Sequence, residues 1–274
     1  MEKHAYLIML HKYSYLTEAL LQAIDHPNND IYIHVDAKAT TFDISRLCNN
    51  VKYSNIYVSD KRINVIWGAY SLIETELLLM MLASENNIYH YYHILSGQDL
   101  PLKSQNVLHK FFSDNYGTEF ITYHIANVNK ESACNIYKRV AVDHFLRKYR
   151  NRYKSKLLNN IIEITDKLIS GFEAYILKVD RCKEKQIPLA FGSQWISITH
   201  SCVKYILSKK DLIYEWFHYS SLGDELFVQT IIKFSVFYNK TAPNMRKIVF
   251  NLEADKKGRH QYIWRVTDYD ELMN

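Results

Sequence analysis

Residues 96–101 read Ser-Gly-Gln-Asp-Leu-Pro and follow the apolar run YYHIL. The chain has only seven glycines and four prolines, so a Gly, an acid and a Pro gathered at the end of a strand-like segment need a reason. They form either an ordinary turn or a loop that presents Asp99 to a ligand. Two other strand-like segments stop at reactive side chains: AYLIML at His11-Lys12, and DIYIHVD at Asp36. A carboxylate at Asp36 can accept from a uracil imide N–H or a ribose hydroxyl, and it is equally a common turn former. His34 reads as a core or turn residue. Open α/β sheets bind ligands outside the carboxyl ends of their strands, so three such strand ends favour a shared crevice.

Further along, Trp67-Gly68 precede a helix start, where the indole can border a nucleotide or fill the core. Asp224-Glu225 open a helix after Gly223. Acids in a first helical turn are favoured by the helix dipole alone, and a Glu held there in a cleft can also act as general base toward a hydroxyl. The chain has no G-x-x-x-x-G-K-[ST] or G-x-G-x-x-G, which weighs against phosphoryl transfer and nicotinamide chemistry. It has no H-E-x-x-H or G-x-S-x-G either. Its only Asp-x-Asp, Asp268-Tyr269-Asp270, lies near the end and away from these strands, so no metal-bridging pair is expected.

The elements that must position these groups alternate in type. Strand-like runs at 5–10, 30–36, 55–60 and 90–97 are separated by helix-like runs at 14–24 and within 65–84, the pattern of βαβ units and a mostly parallel sheet flanked by helices. The stretch 126–187 reads as helix-rich and polar. After Pro188 come a strand in LAFGSQWISIT (189–199), a helix around HSCVKYILS and another near Asp224. No linker or repeat divides the chain. The expectation is one domain over 1–274: a first half to about 125, a helical basic insertion over about 126–187, and a second half over 188–274.

At 274 residues and 48% hydrophobic, the chain can bury a large core. No apolar run is long enough to span a bilayer and the start lacks a signal-peptide layout, so a cytoplasmic location is expected. Cys48, Cys134, Cys182 and Cys202 are widely spaced and read as reduced thiols. Charge is unevenly spread: Lys138 to Lys156 holds eight Lys/Arg against one Asp, an excess larger than the net +5 of the whole chain. Such a cluster is either a solvated face or a contact for nucleic acid, an anionic membrane or a phosphorylated substrate. Interleaved aromatic RNA signatures are missing and the remainder is slightly acidic, so nucleic acid is not expected.

Taken together, five stretches resemble, in order, the core-2/I-branching glycosyltransferases, a family that includes β-1,6-N-acetylglucosaminyltransferases and peptide O-xylosyltransferases. They are HKYSYLTEALLQAIDHPNNDIYIHVDAK, INVIWGAYSLIETELLLMMLA, YYHILSGQDLPLKS, FGSQWISITHSCVKYIL and GDELFVQTII. The resemblance implies a GT-A-like, Rossmann-like fold and an inverting transfer, without a bound metal or other cofactor, from a UDP-sugar to a glycan acceptor hydroxyl. N-acetylglucosamine is the first choice of donor sugar and xylose the alternative.

By the same resemblance, Glu225 is the catalytic base, Asp36 meets the uracil or ribose, Trp67 borders the nucleotide, Asp99 faces the donor sugar and Arg246 neutralises the diphosphate. Glu119 and Trp195 fall near acceptor-binding positions. A second basic residue of the family would follow a stretch similar to TDYDELMN and so lie beyond Asn274. Either Lys256, Lys257, Arg259 or Arg265 replaces it, or UDP binds weakly; weak binding is the reading favoured here. Cell-surface polysaccharide assembly at the inner membrane face, with a lipid-linked acceptor, fits this form of the family. A membrane- or nucleic-acid-binding module built on 138–156 is the non-enzymatic alternative.

Overall fold

The strand β1 (His4–Leu10) sends Tyr6, Ile8 and Leu10 into one apolar cluster and Ala5 and Leu7 into another, the period of two that a sheet covered on both faces requires. β2 (Asn29–Val35) does the same, with Ile31, Ile33 and Val35 on the first side and Tyr32 on the second. The computed structural model describes residues 2–124, 136–150, 152, 153, 155–249 and 262–273.

Around these strands the elements follow in order: α1 (Tyr15–Ile24), α2 (Ser45–Cys48), β3 (Asn55–Val58), α3 (Ser71–Asn86), β4 (Tyr91–Ser96), α4 (Gln105–Asp114) and β5 (Glu119–Phe120). There follow α5 (Lys138–Ala141), α6 (Lys156–Tyr175), α7 (Arg181–Glu184), β6 (Ser197–Thr199), α8 (His200–Ser208), α9 (Lys210–Phe217), α10 (Phe227–Ile232), β7 (Thr241–Ala242) and α11 (Tyr269–Met273). The seven described strands form one sheet of order β3-β2-β1-β4-β6-β5-β7. β3, β2, β1 and β4 are mutually parallel, and β6 runs antiparallel to β4 and β5. The expected α/β architecture, mostly parallel and flanked by helices, is therefore present.

Helix α1 covers one face through Leu20, Leu21 and Ile24. Helices α3, α8 and α10 cover the other, with Ile73, Leu79 and Met80 meeting Val203, Ile206, Phe227 and Ile231. Each such side chain contributes about 1.5–3 kcal/mol when fully buried. Within 65–84 the helix starts at Ser71, after Gly68 (φ +75°) turns the chain, in line with the position of Trp67-Gly68 before a helix start. One element differs from the sequence reading. Of LAFGSQWISIT only Ser197–Thr199 is strand: Ala190 N–H donates to Thr230 Oγ1 (3.1 Å) and Gly192 N–H to Glu225 O (3.0 Å), which ties the first half to the 223–230 region.

Register fixes where the strands stop. Leu10 pairs with Val35 and Met9 with Ser96, so β1, β2 and β4 end on one edge. Gly97 makes this possible, since a Cβ there would lie 2.1 Å from Leu10 Cδ2, and Leu10 is itself buried. Gly97→Ala is expected to cost about 1–3 kcal/mol through overpacking, read as a lower thermal midpoint. An unchanged midpoint would show that Leu10 moves aside without penalty.

Candidate active site

The strand edge leads into a continuous run of contacts. Asp36 N–H donates to Leu10 O (2.8 Å), which places the Asp36 turn beside the end of β1 and hence beside Gly97. The Asp36 carboxylate is almost fully enclosed: Oδ1 accepts from Lys38 N–H (2.8 Å) and Oδ2 from Lys38 Nζ (2.7 Å). Lys38 Nζ also donates to Asn64 Oδ1 (3.1 Å) and to Val65 O, joining this turn to the loop that carries Trp67. Gly68 O then accepts from Leu222 N–H (2.8 Å), and Leu222 precedes the 3₁₀ turn Gly223–Glu225.

Gly68 is required twice over. Its φ of +75° suits glycine, and a Cβ would fall 2.8 Å from Arg147 Nη2 and 2.9 Å from Leu222 Cδ2. Trp67 is left 60% exposed, with the Arg150 and Arg147 guanidinium carbons 5.0 and 5.8 Å from its ring centre. Arg147 has no carboxylate partner among the described residues, and its buried Nε has no hydrogen bond. Burial, followed by the charge of Arg150, lowers its pKa to about 10, so it stays cationic at neutral pH.

Glu225 sits where this run closes. Its Oε2 accepts from Arg139 Nη1 at 2.8 Å, while Oε1 has no protein partner among the described residues. The arginine side chain is 11% exposed and the glutamate 38%, so one oxygen is fixed from within and the other can meet a ligand. The neighbouring Asp224 points inward, with Oδ1 buried and unpaired. Burial, reinforced by the charge of Glu225, pushes its carboxyl up to about 7. Nearby, Glu76 accepts from Gln194 Nε2 (2.7 Å), and burial holds it well above the usual carboxylate range.

At the other end, Asp99 closes its own turn: its Oδ2 accepts from Ser96 N–H (2.7 Å). Arg246 lies close enough for the Asp99 charge to offset part of the burial that lowers the arginine's pKa. Arg246 Nη2 donates to Ser197 Oγ (3.0 Å), behind which His93 and His4 continue a buried polar chain (2.8 and 3.1 Å). Burial drives His93 well below its ordinary value, so neutral imidazoles back the guanidinium. His34 accepts from Ile63 N–H (2.8 Å) and acts as a turn residue, as its sequence suggested.

The structure thus places Asp36, Trp67, Asp99 and Glu225 along one chain of neighbouring loops, with Arg246 beside Asp99. Glu119 is corrected. It is 1% exposed, with Oε2 and Oε1 accepting from Thr199 N–H (2.8 Å) and Oγ1 (2.7 Å), so it ties β5 to the start of α8 and presents nothing to an acceptor. Trp195 is partly buried against the core, its carbonyl accepting from Asn244 Nδ2 (2.7 Å). Lys256, Lys257, Arg259 and Cys134 lie outside the described residues. Arg265 is exposed on the α11 side. The other three cysteines are free, two buried and Cys48 exposed. Among the described residues no group of three His, Cys, Asp or Glu could hold a metal ion.

Sequence reasoning missed Arg139, Arg147 and Arg150. They were visible only as part of a basic run, and their partners lie up to 86 residues away.

A model of the family described as "Core-2/I-Branching enzyme" matches residues 4–272. Similar relatives include xylosyltransferase 2 of Bos taurus, 22% identical over 271 residues, covering 94% of this chain and 28% of that protein. Xylosyltransferase 1 of Homo sapiens is 24% identical over 268 residues, covering 94% and 25%. The chain therefore spans about a quarter of the length of these relatives. The crystal structure of mouse xyloside xylosyltransferase 1, apo form, aligns with a TM-score of 0.40 and 10% identity over 89% of this chain and 85% of that one. From the match that runs nearly end to end, the chain belongs to the Core-2/I-Branching enzyme family.

Proposed function

We propose that this chain transfers a sugar from a UDP-sugar to a hydroxyl of a glycan acceptor by a single displacement with inversion, Glu225 acting as the base. The observation that carries the proposal is the Glu225 carboxylate itself, one oxygen held by Arg139 and the other unpaired. The unpaired Oε1 takes the acceptor proton as the hydroxyl oxygen attacks the anomeric carbon, and the bond to the diphosphate breaks on the opposite face. UDP leaves as an anion, so no acid is needed at that oxygen. In this reading Arg246 takes up the charge of the diphosphate, with Asp99 next to the donor sugar and Asp36 and Trp67 on the nucleoside side. No metal or other cofactor enters the proposal, because the arginine supplies the positive charge.

The names of the relatives favour UDP-xylose over UDP-N-acetylglucosamine, which the sequence reading put first. We further assign the activity to cell-surface polysaccharide assembly on a lipid-linked acceptor at the inner membrane face. A purely binding role for 138–156 is the weaker reading, because Arg139, Arg147 and Arg150 converge on Glu225 and Trp67.

Glu225→Gln is expected to lower turnover at least about 100-fold with UDP affinity unchanged, measured with UDP-xylose and UDP-N-acetylglucosamine as donors and by UDP titration. Near-parental turnover would remove Glu225 from the chemistry. Asp224 supplies an independent check on this loop. Its folded value of about 7 lies above its ordinary 3.8, so between those pH values the folded chain keeps a proton that the unfolded chain has lost. Stability therefore falls as pH rises through that window. Asp224→Asn is expected to raise the thermal midpoint, relative to the parent, more at about pH 8 than at about pH 5. An equal offset at both would contradict a buried, proton-holding Asp224.

A further inference from the structure

Helix α6 is amphipathic in the reverse of the usual sense. Its buried residues are Asp166 and Ser170, while Leu157 (69%), Ile164 (57%), Leu168 (68%) and Phe172 (53%) are open to solvent. Leu158, Ile161 and Tyr175 are also exposed, and Ile176 and Leu177 continue the strip past the helix end.

The inward face is polar because it holds the basic segment. Asp166 accepts from Leu146 N–H (3.0 Å) and pairs with His144 (3.0 Å). Glu173 accepts from Asp143 N–H (2.9 Å), and Glu163 lies 3.9 Å from Arg150. Asp166 and Glu173 turn toward the body and Glu163 lies half-exposed at its edge, while Lys156 and Lys167 are exposed on the helix and Lys178 just beyond it. Lys167 is shared with the half-exposed Glu163 at 3.1 Å. Lys148 and Arg152 are exposed nearby.

We propose that the outward face of α6 docks on an anionic lipid bilayer, lying in the plane of the interface. At about 100° per residue the exposed apolar positions of the helix span an arc of about 120°, broader than the narrow seam by which two copies would pair as a coiled coil. An apolar face bordered by lysines, with aromatic Phe172 and Tyr175 along it, matches the headgroup boundary of a bilayer containing acidic lipids. No described helix is long and apolar enough to cross a membrane, so the contact is peripheral. This relocates the membrane contact expected of 138–156: three of its arginines face Trp67 and Glu225, and α6 supplies the surface. The same ion pairs couple that surface to the site, so docking would bring Trp67 and Glu225 close to a lipid-borne acceptor. The docking itself does not depend on the proposed chemistry.

The test is co-sedimentation of the full chain with phosphatidylcholine vesicles with and without about one third phosphatidylglycerol. The parent is expected to sediment with the acidic vesicles. Ile164→Gln/Leu168→Gln/Phe172→Gln should lower the bound fraction at least about tenfold, and Lys156→Gln/Lys167→Gln/Lys178→Gln should lower it several-fold. All substituted positions are exposed, and near-ultraviolet circular dichroism checks that the fold is kept. Failure of the parent to sediment overturns the proposal. So does unchanged sedimentation of the apolar variant, or a parent dimer in light scattering that the apolar variant converts to monomer, which would assign the face to a second copy.

Discussion

The parallel pairing of β1 with β2 on one side and β4 on the other is the constraint on which the rest depends. Both faces of this strand trio are buried, so a register slip would send apolar residues to the wrong cluster. With register fixed, Leu10, Val35 and Ser96 must end together, and the residues that follow them are forced onto one edge. Asp36 and Asp99 follow strands that end on the same edge for that reason and not because of anything in their own short motifs. The later half of the chain reaches the loop that follows this edge through the backbone bond from Leu222 to Gly68, and the bond from Gly192 to Glu225 holds its own two loops together.

Charge placement follows a second rule, that an ion pair between partly enclosed groups fixes geometry more than it adds stability. Arg139 orients Glu225, and Lys38 closes Asp36 while tying its turn to the Trp67 loop. The acids of α6 hold the basic segment by its backbone as well as by its side chains, which leaves Arg147 and Arg150 over Trp67. A run that looks like a uniform basic patch in sequence therefore divides into Arg139, Arg147 and Arg150, directed at the site, and Lys148, Arg152 and Lys156, which are exposed. The α6 apolar stripe faces away from the body for the same reason: the polar face had partners to satisfy and the apolar one did not.

How much was legible in the sequence varies with the distance over which each feature is determined. The strands at 4–10, 29–35 and 91–96 and the helix at 15–24 were readable because local periodicity and turn residues specify them. The strand-end position of Asp36 and Asp99 followed from the same patterns. Glu119 was misread because its burial depends on β5 pairing with β6, 77 residues later, which no local pattern encodes. The long strand expected at 189–199 shortened because Ala190 and Gly192 find partners near Glu225. The apolar spacing of α6 was present in the sequence, but which face turns inward was set by Asp143, His144 and Leu146.

The central claim is that one carboxylate, Glu225, drives a direct displacement at the anomeric carbon. It is tested most directly by the stereochemistry of the product. Proton NMR of the glycoside formed from an α-linked UDP-sugar, recorded before mutarotation of any hydrolysed donor can obscure it, should show a β anomeric coupling. An α-linked product would mean two displacements or a front-face mechanism, and would contradict the role given to Glu225.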